Sequence, residues 1–201
     1  MIVYACSSNP GKLREFRIAA ESAAGIEIEP LPGLKDIRPP EETGSTFEEN
    51  ATFKAAYYSR FTSAPVFADD SGLEAAALGG APGVISARYA GPNATDQENN
   101  ELLLQQLEGT RDRGARFVAI IAVARAGRVL NTFRGEIPGE ILYAPRGLGG
   151  FGYDPLFFYP PFARTLAEVT PDEKFSVSHR GKALRAMLAW LPQYFLQAGG
   201  K

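Results

Sequence analysis

The sequence predicts an α/β protein built as one domain over residues 1–201, and three observations carry that reading. Short apolar runs alternate with segments of helical periodicity, beginning with Ile2-Val3-Tyr4-Ala5-Cys6 at the N-terminus. Ser45-Thr46-Phe47-Glu48 and Thr95-Asp96-Gln97-Glu98 both have capping-box spacing and open helices between those runs. Nothing in the chain has the composition of an interdomain linker, and its length suffices for one well-buried core.

Residues 1–7 read as a buried strand, and the polar Ser8-Asn9-Pro10-Gly11 leads into a helix over 12–24 with Leu13, Phe16 and Ala20 on its apolar stripe. A second strand is expected at 26–30. The stretch 31–44 carries Pro32, Pro39 and Pro40 and reads as loop, after which the first capping sequence starts a helix that runs to Thr62. Residues 65–69 form a short buried strand, which Ser71-Gly72 ends as a turn. Gly79-Gly80-Ala81-Pro82-Gly83 is a turn-rich loop, and the second capping sequence opens a helix to Leu107. Residues 115–126 and 129–137 make a hairpin joined through Gly127. An irregular stretch over 143–152 precedes the apolar Leu156-Phe157-Phe158-Tyr159. The last helix spans 179–196, with Leu184, Met187, Leu188 and Leu191 on its buried face. There is no internal repeat.

Composition narrows the function classes. Hydrophobic residues at 45% and charged residues at 22% suit a globular chain rather than a disordered one. A formal net charge of -2 with scattered basic residues provides no electrostatic footprint for a nucleic-acid polymer, although a small anionic ligand remains open. The single cysteine, Cys6, forms no internal disulfide and suits a reducing cytosol, where its role is core packing. The first apolar run is too short for a signal peptide and lacks a basic start, and no stretch is long enough to span a bilayer. A cytoplasmic protein without membrane partners is the expectation.

Four segments bring chemistry together. Ser7-Ser8-Asn9-Pro10-Gly11-Lys12 joins a strand to a helix, where backbone N–H groups, the helix dipole, hydroxyls and the Lys12 charge favour a phosphate. It is not a Walker A loop, since Cys6 stands where that motif needs glycine, and it reads equally as an ordinary capped helix start. Glu41-Glu42-Thr43-Gly44 precedes a helix on which Asn50 and Lys54 share a face, so Glu41 or Glu42 can join Asp70 as hard oxygen ligands for Mg²⁺. The competing picture is a solvated acidic loop.

Phe67-Ala68-Asp69-Asp70-Ser71-Gly72 places two carboxylates at a strand end, either as chemistry or as a turn whose aspartates accept local hydrogen bonds. Adjacent strand residues face opposite ways, so Asp69 and Asp70 share a cleft only if the strand has already broken. Gly147-Leu148-Gly149-Gly150-Phe151-Gly152-Tyr153-Asp154-Pro155 contains a formal GxGxxG but runs into proline instead of opening a helix, which excludes the dinucleotide fingerprint. Its glycines let backbone approach a flat ligand while Phe151 stacks on it, or form a turn over core aromatics. Lys174 and Ser178-His179-Arg180-Gly181 gather cations at a helix start, where an acceptor-rich ligand would compensate them. Together these parts match what a nucleoside triphosphate requires.

On these motifs the chain resembles the inosine triphosphate pyrophosphatase, or Ham1-like, family. The likeness covers nearly the whole length, including Phe47, Asn50, Ala51, Lys54, Leu73 and Ser86-Ala87-Arg88-Tyr89. One departure is Ser7, where the family often has threonine; the hydroxyl is kept. The resemblance implies an elongated mixed β-sheet flanked by helices, with two lobes around a central cleft, in a homodimer. It implies Mg²⁺-dependent hydrolysis of ITP, dITP, XTP and dXTP to the nucleoside monophosphate and pyrophosphate. By position, Ser7, Ser8, Asn9, Pro10, Gly11 and Lys12 would cradle phosphates, with Lys54 as a further phosphate contact. Glu41 and Asp70 would hold metal, and Asp70 would act on the attacking water with Asp69 in support. Ser71, Phe151, Gly152, Tyr153, Asp154, Lys174, His179 and Arg180 would bind the nucleotide.

The expected reaction is in-line attack of water on the α-phosphorus, with pyrophosphate as leaving group. Base choice would follow from donors at Lys174, His179 or Arg180 meeting the acceptor oxygen at purine position 6, where adenine carries a donor instead. The alternatives are a Maf-type pyrophosphatase for pyrimidine or modified nucleotides, and a nucleotide-binding module without turnover. Intact Glu41 and Asp70 argue against the second.

Overall fold

Strands β1 (Ile2–Ala5), β2 (Glu27–Pro30), β3 (Val66–Ala75), β4 (Gly114–Arg125), β5 (Arg128–Ile141), β6 (Phe157–Tyr159) and β7 (Arg164–Thr165) are interspersed with helices α1 (Pro10–Glu21), α2 (Phe47–Tyr58), α3 (Asp96–Gln106), α4 (Pro171–Val177) and α5 (His179–Ala198). This computed structural model describes residues 1–21, 23 and 25–198. The strands pair in the order β2-β1-β3-β4-β5-β6-β7. β1 is parallel to both β2 and β3, whereas β6 is antiparallel to β5 and β7, so the sheet is mixed and the α/β expectation holds. Packing divides the chain into a first unit of residues 1–70, 119–135 and those from 180 onward, and a second of 71–118 and 136–179.

In the first unit, β1-α1-β2 is a parallel crossover. Proline at the first position of α1 leaves a helix start whose N–H is not needed, so the helix begins two residues ahead of the expected Lys12. The expected last residue, Ala24, lies outside the described residues. Phe16 of α1 meets Phe67 of β3 edge-on, with ring centroids 5.0 Å apart, and the buried face also carries an acid, Glu15.

The capping box of α2 sits one residue later than the spacing suggested: the Thr46 side chain accepts from Glu49 N, and Glu49 accepts from Thr46 N. Two hydroxyls and two glutamates stand in tandem there, and burial of Phe47, Asn50, Ala51 and Lys54 selects the register. α2 stops at Tyr58, short of Thr62, because the Ser59 hydroxyl turns back to Ala56 O and accepts from Gly127 N. Ala126 and Gly127, with φ of 51° and 79°, make the two-residue turn between β4 and β5 that the hairpin reading required. Ala183, Leu184, Met187, Leu188 and Leu191 of α5 are buried, as its periodicity predicts.

In the second unit Leu73, Leu103, Leu107, Phe117, Ile137, Leu156 and Phe157 form the core. The expected turn at Ser71-Gly72 is absent: β3 continues to Ala75. Gly72 serves a close approach, since a Cβ there would lie 2.3 Å from Ser86 Oγ and 2.5 Å from Gly83 O. The neighbouring Leu73 N donates to Ser86 Oγ at 2.9 Å. β5 runs on to Ile141, beyond the expected end at Ile137, with Pro138 inside it. Helix α4 was not foreseen. At seven residues it shows little periodicity, and its signal is the Thr170/Glu173 capping box with Pro171 at the first position. Residues 147–152 form loop and lead to β6, so the glycines there open no helix.

Gly72→Ala should therefore destabilise by about 1–3 kcal/mol through overpacking against backbone. A lowered urea midpoint with an unchanged slope would show it.

Candidate active site

β3 stays extended through its two aspartates, so they point to opposite faces. The two acids meet different partners within the first unit. Asp69 Oδ2 accepts from Arg180 Nε at 3.1 Å and pairs with Lys12 Nζ at 3.0 Å, while Arg180 Nη1 donates to Glu15 Oε2 at 2.6 Å. Asp70 Oδ1 accepts from Lys54 Nζ at 3.0 Å and its Oδ2 from Asn50 Nδ2 at 3.1 Å. The same Lys54 amine donates to Glu42 Oε1 at 2.8 Å.

Partner count sets the electrostatics. Burial pushes the Asp69 carboxyl up, but Lys12, Arg180 and Lys54 outweigh it and hold the group well below the usual carboxylate range. Burial likewise raises Asp70; Glu42 adds to that against Lys54 and Lys12, and the carboxyl stays above its ordinary value. Lys54 is drawn down by burial yet ends raised, because Asp70, Asp69 and Glu42 surround it. Burial leaves Lys12 lowered despite Asp69. Arg180 is opposed by burial and held charged by Glu15 and Asp69.

The loop from Ser7 to Lys12 is ordered by its own side chains. Asn9 Oδ1 accepts from Lys12 N at 3.0 Å, capping α1, and Ser7 Oγ accepts from Asn9 N at 3.3 Å. A cavity of about 690 Å³ in the first unit is lined by Ser7, Ser8, Asn9, Lys12, Glu42, Lys54 and Asp69. Cys6 also borders it; burial pushes its thiol up to about 12. Glu41 is exposed, and its neighbour Glu42 is the acid that reaches Lys54.

In the second unit Asp154 Oδ2 accepts from Lys174 Nζ at 2.5 Å and from Phe151 N at 2.8 Å. The Lys174 amine lies 4.4 Å from the Phe151 ring centroid, a cation–π contact. A Cβ on Gly150 would strike Asp154 Oδ2 at 2.2 Å, so the loop needs glycine to wrap this carboxylate. Tyr153 is buried in the core and donates its hydroxyl to Ser86 O at 2.8 Å. His179 stacks on Phe117 with centroids 4.8 Å apart. Ser71 is half-buried on β3.

Three groups escaped the sequence reading. Glu15, an acid on an apolar helix face, is the internal counter-ion of Arg180. Asp96 Oδ2 accepts from Gly152 N at 2.6 Å, and Asn100 Nδ2 donates to Gly152 O at 2.9 Å. Only Glu15 had a readable signal, its place beside Phe16 on the α1 stripe.

Among the described residues no three His, Cys, Asp or Glu side chains gather as a metal cluster. Mg²⁺ commonly takes only one or two protein carboxylates and fills its sphere with substrate phosphates and water, and Asp70 with Glu42, joined through one ammonium, fits that habit. Nor, among the described residues, is any helix long and apolar enough to cross a membrane.

The chain is similar to known proteins over most of its length. A model of the Ham1 family matches residues 3–190. The dITP/XTP pyrophosphatase of Acidobacterium capsulatum is 51% identical over 201 residues, covering 96% of this chain and 98% of that protein. The dITP/XTP pyrophosphatase of Thermus thermophilus is 48% identical over 190 residues, covering 94% and 90%. The solved structure of a HAM1 protein from Coxiella burnetii superposes with a TM-score of 0.86 at 42% identity, over 96% of this chain and 99% of that one. With the fold, the motifs and these relatives in agreement, the chain belongs to the Ham1 family.

Proposed function

We propose that this chain hydrolyses ITP, dITP, XTP and dXTP to the nucleoside monophosphate and pyrophosphate, removing them from the nucleotide pool. The observation that carries the reading is the unequal pair on β3. Asp69 is neutralised by two cations, whereas Asp70 keeps a raised pKa, with Lys54 shared between it and Glu42. An ionised but poorly compensated carboxylate is suited to taking a proton from water, while a fully compensated one is suited to holding cations in place. The names of relatives about half identical to this chain support the substrate class.

In this reading the residues from Ser7 to Lys12 bind the triphosphate. Asn9 already caps α1, so the hydroxyls, the remaining N–H groups and the Lys12 ammonium, which keeps N–H donors beyond its bond to Asp69, serve phosphate oxygens. Lys54 spreads charge beside them. Asp70, with Glu41 or Glu42, would hold Mg²⁺, which when bound withdraws charge from the phosphoryl oxygens. Asp70 orients the water for in-line attack at the α-phosphorus and accepts its proton on a carboxylate oxygen. Phe151 offers its ring to the purine, and Lys174 and His179 offer donors to the oxygen at position 6. The bonds of Arg180 to Asp69 and Glu15 support a role in fixing Asp69 more than one at the base. The same reading makes the enzyme a cytoplasmic homodimer acting on free nucleotide.

Pyrophosphate release measured across ITP, XTP, GTP, ATP and CTP, with and without Mg²⁺, tests the proposal. ITP and XTP should lead, with Mg²⁺ required; release of orthophosphate, or equal efficiency on ATP, would refute it. Asp70→Asn should lower ITP turnover at least about 100-fold with the urea midpoint close to wild type. Asp69→Asn should behave differently in stability, losing about 3–5 kcal/mol at pH 7 because it removes the buried carboxylate shared by Lys12 and Arg180. The folded pKa of Asp69 lies below its unfolded value, so its stabilisation is full above the ordinary value of 3.8 and disappears as pH falls toward the depressed one. The gap between wild type and Asp69→Asn should accordingly stay constant in metal-free buffer from pH 7 to about 5 and narrow only as pH falls through about 4 and below.

A further inference from the structure

We infer that Asp96 and Asn100 are positioning residues for the purine base, acting through the glycine loop that carries Phe151. They stand four apart on α3 and therefore share a face of that helix. From that face they bind both backbone groups of one residue: Gly152 N donates to Asp96 Oδ2 at 2.6 Å and Gly152 O accepts from Asn100 Nδ2 at 2.9 Å. Gly152 has φ of +62° and follows Phe151 directly, so any shift of its peptide planes moves the ring.

Two further observations separate this clamp from ordinary packing. The loop does not rest on a filled core on the α3 side: Asp96, Asn100, Phe151 and Gly152 line a cavity of about 760 Å³, whose wall includes the fully exposed Leu148. The polar ties from Asp96 and Asn100 thus hold the loop there. Asn100 Oδ1 is also buried with no hydrogen-bond partner among the described residues. On its other side the loop is held by Asp154, which accepts from Phe151 N and pairs with the Lys174 amine above the Phe151 ring. The α3 clamp and the Asp154 carboxylate together set the spacing of ring and ammonium. This inference rests on the reading of Phe151 and Lys174 as the base site.

Steady-state pyrophosphate release from ITP by the full-length chain, with inhibition by inorganic tripolyphosphate as a probe that has phosphates but no base, tests it. Asn100→Ala and Asp96→Ala should each raise KM for ITP about tenfold, with kcat within about twofold and the inhibition constant of tripolyphosphate unchanged. Asp96→Asn, which keeps an oxygen to accept from Gly152 N, should recover most of the loss. Unchanged KM in both alanine variants would overturn the inference, as would kcat, tripolyphosphate inhibition and urea midpoint all changing together with KM. A wild-type enzyme that releases no pyrophosphate from ITP or XTP would remove the base-site reading and this inference with it. An active wild type with unaffected variants removes the inference alone.

Discussion

Successive side chains of an extended strand leave opposite faces of the sheet, and at Asp69 and Asp70 that geometry separates two identical chemical groups. Each carboxylate costs several kcal/mol to bury alone, so each must recruit cations from the layer it faces. Asp69 recruits Lys12 from the phosphate loop and Arg180 from the start of α5, and Arg180 in turn requires Glu15. Among the described residues Asp70 pairs with Lys54, already shared with Glu42, and takes a neutral amide from Asn50.

The two units use one device in different settings: a carboxylate that takes a lysine ammonium and a second donor at once. In the first unit Asp70 joins Lys54 and Asn50 and so fixes α2 against β3. In the second, Asp154 joins Lys174 and the Phe151 N–H and so fixes α4 against the glycine loop. Both are low-dielectric pairs, well suited to holding geometry. Positional precision in these places comes from charge, whereas the core residues around Leu103 and Phe157 supply bulk cohesion.

What could be read from residues alone follows the range of the forces involved. Local signals worked: the Thr95/Glu98 box, the hairpin turn and the buried face of α5 all depend on neighbours within a few positions. Non-local ones did not. Gly72 looks like punctuation until Ser86 is seen beside it, and a strand-interior glycine has the same letter as a turn glycine. Glu41 and Glu42 differ in nothing that composition records, yet only the second reaches Lys54. Asp96 and Asn100 act on a backbone 56 and 52 residues away, a contact that no spacing rule anticipates.

Cys6 borders the phosphate-side cavity and is the strongest intrinsic nucleophile there, yet burial lifts its thiol to about 12. At neutral pH the thiolate that nucleophilic attack requires is then scarce. A covalent nucleotidyl-cysteine is thereby disfavoured. The same suppression shields the sulfur from peroxide and alkylating agents, so a reporter cysteine introduced elsewhere could be modified selectively without first removing the native one.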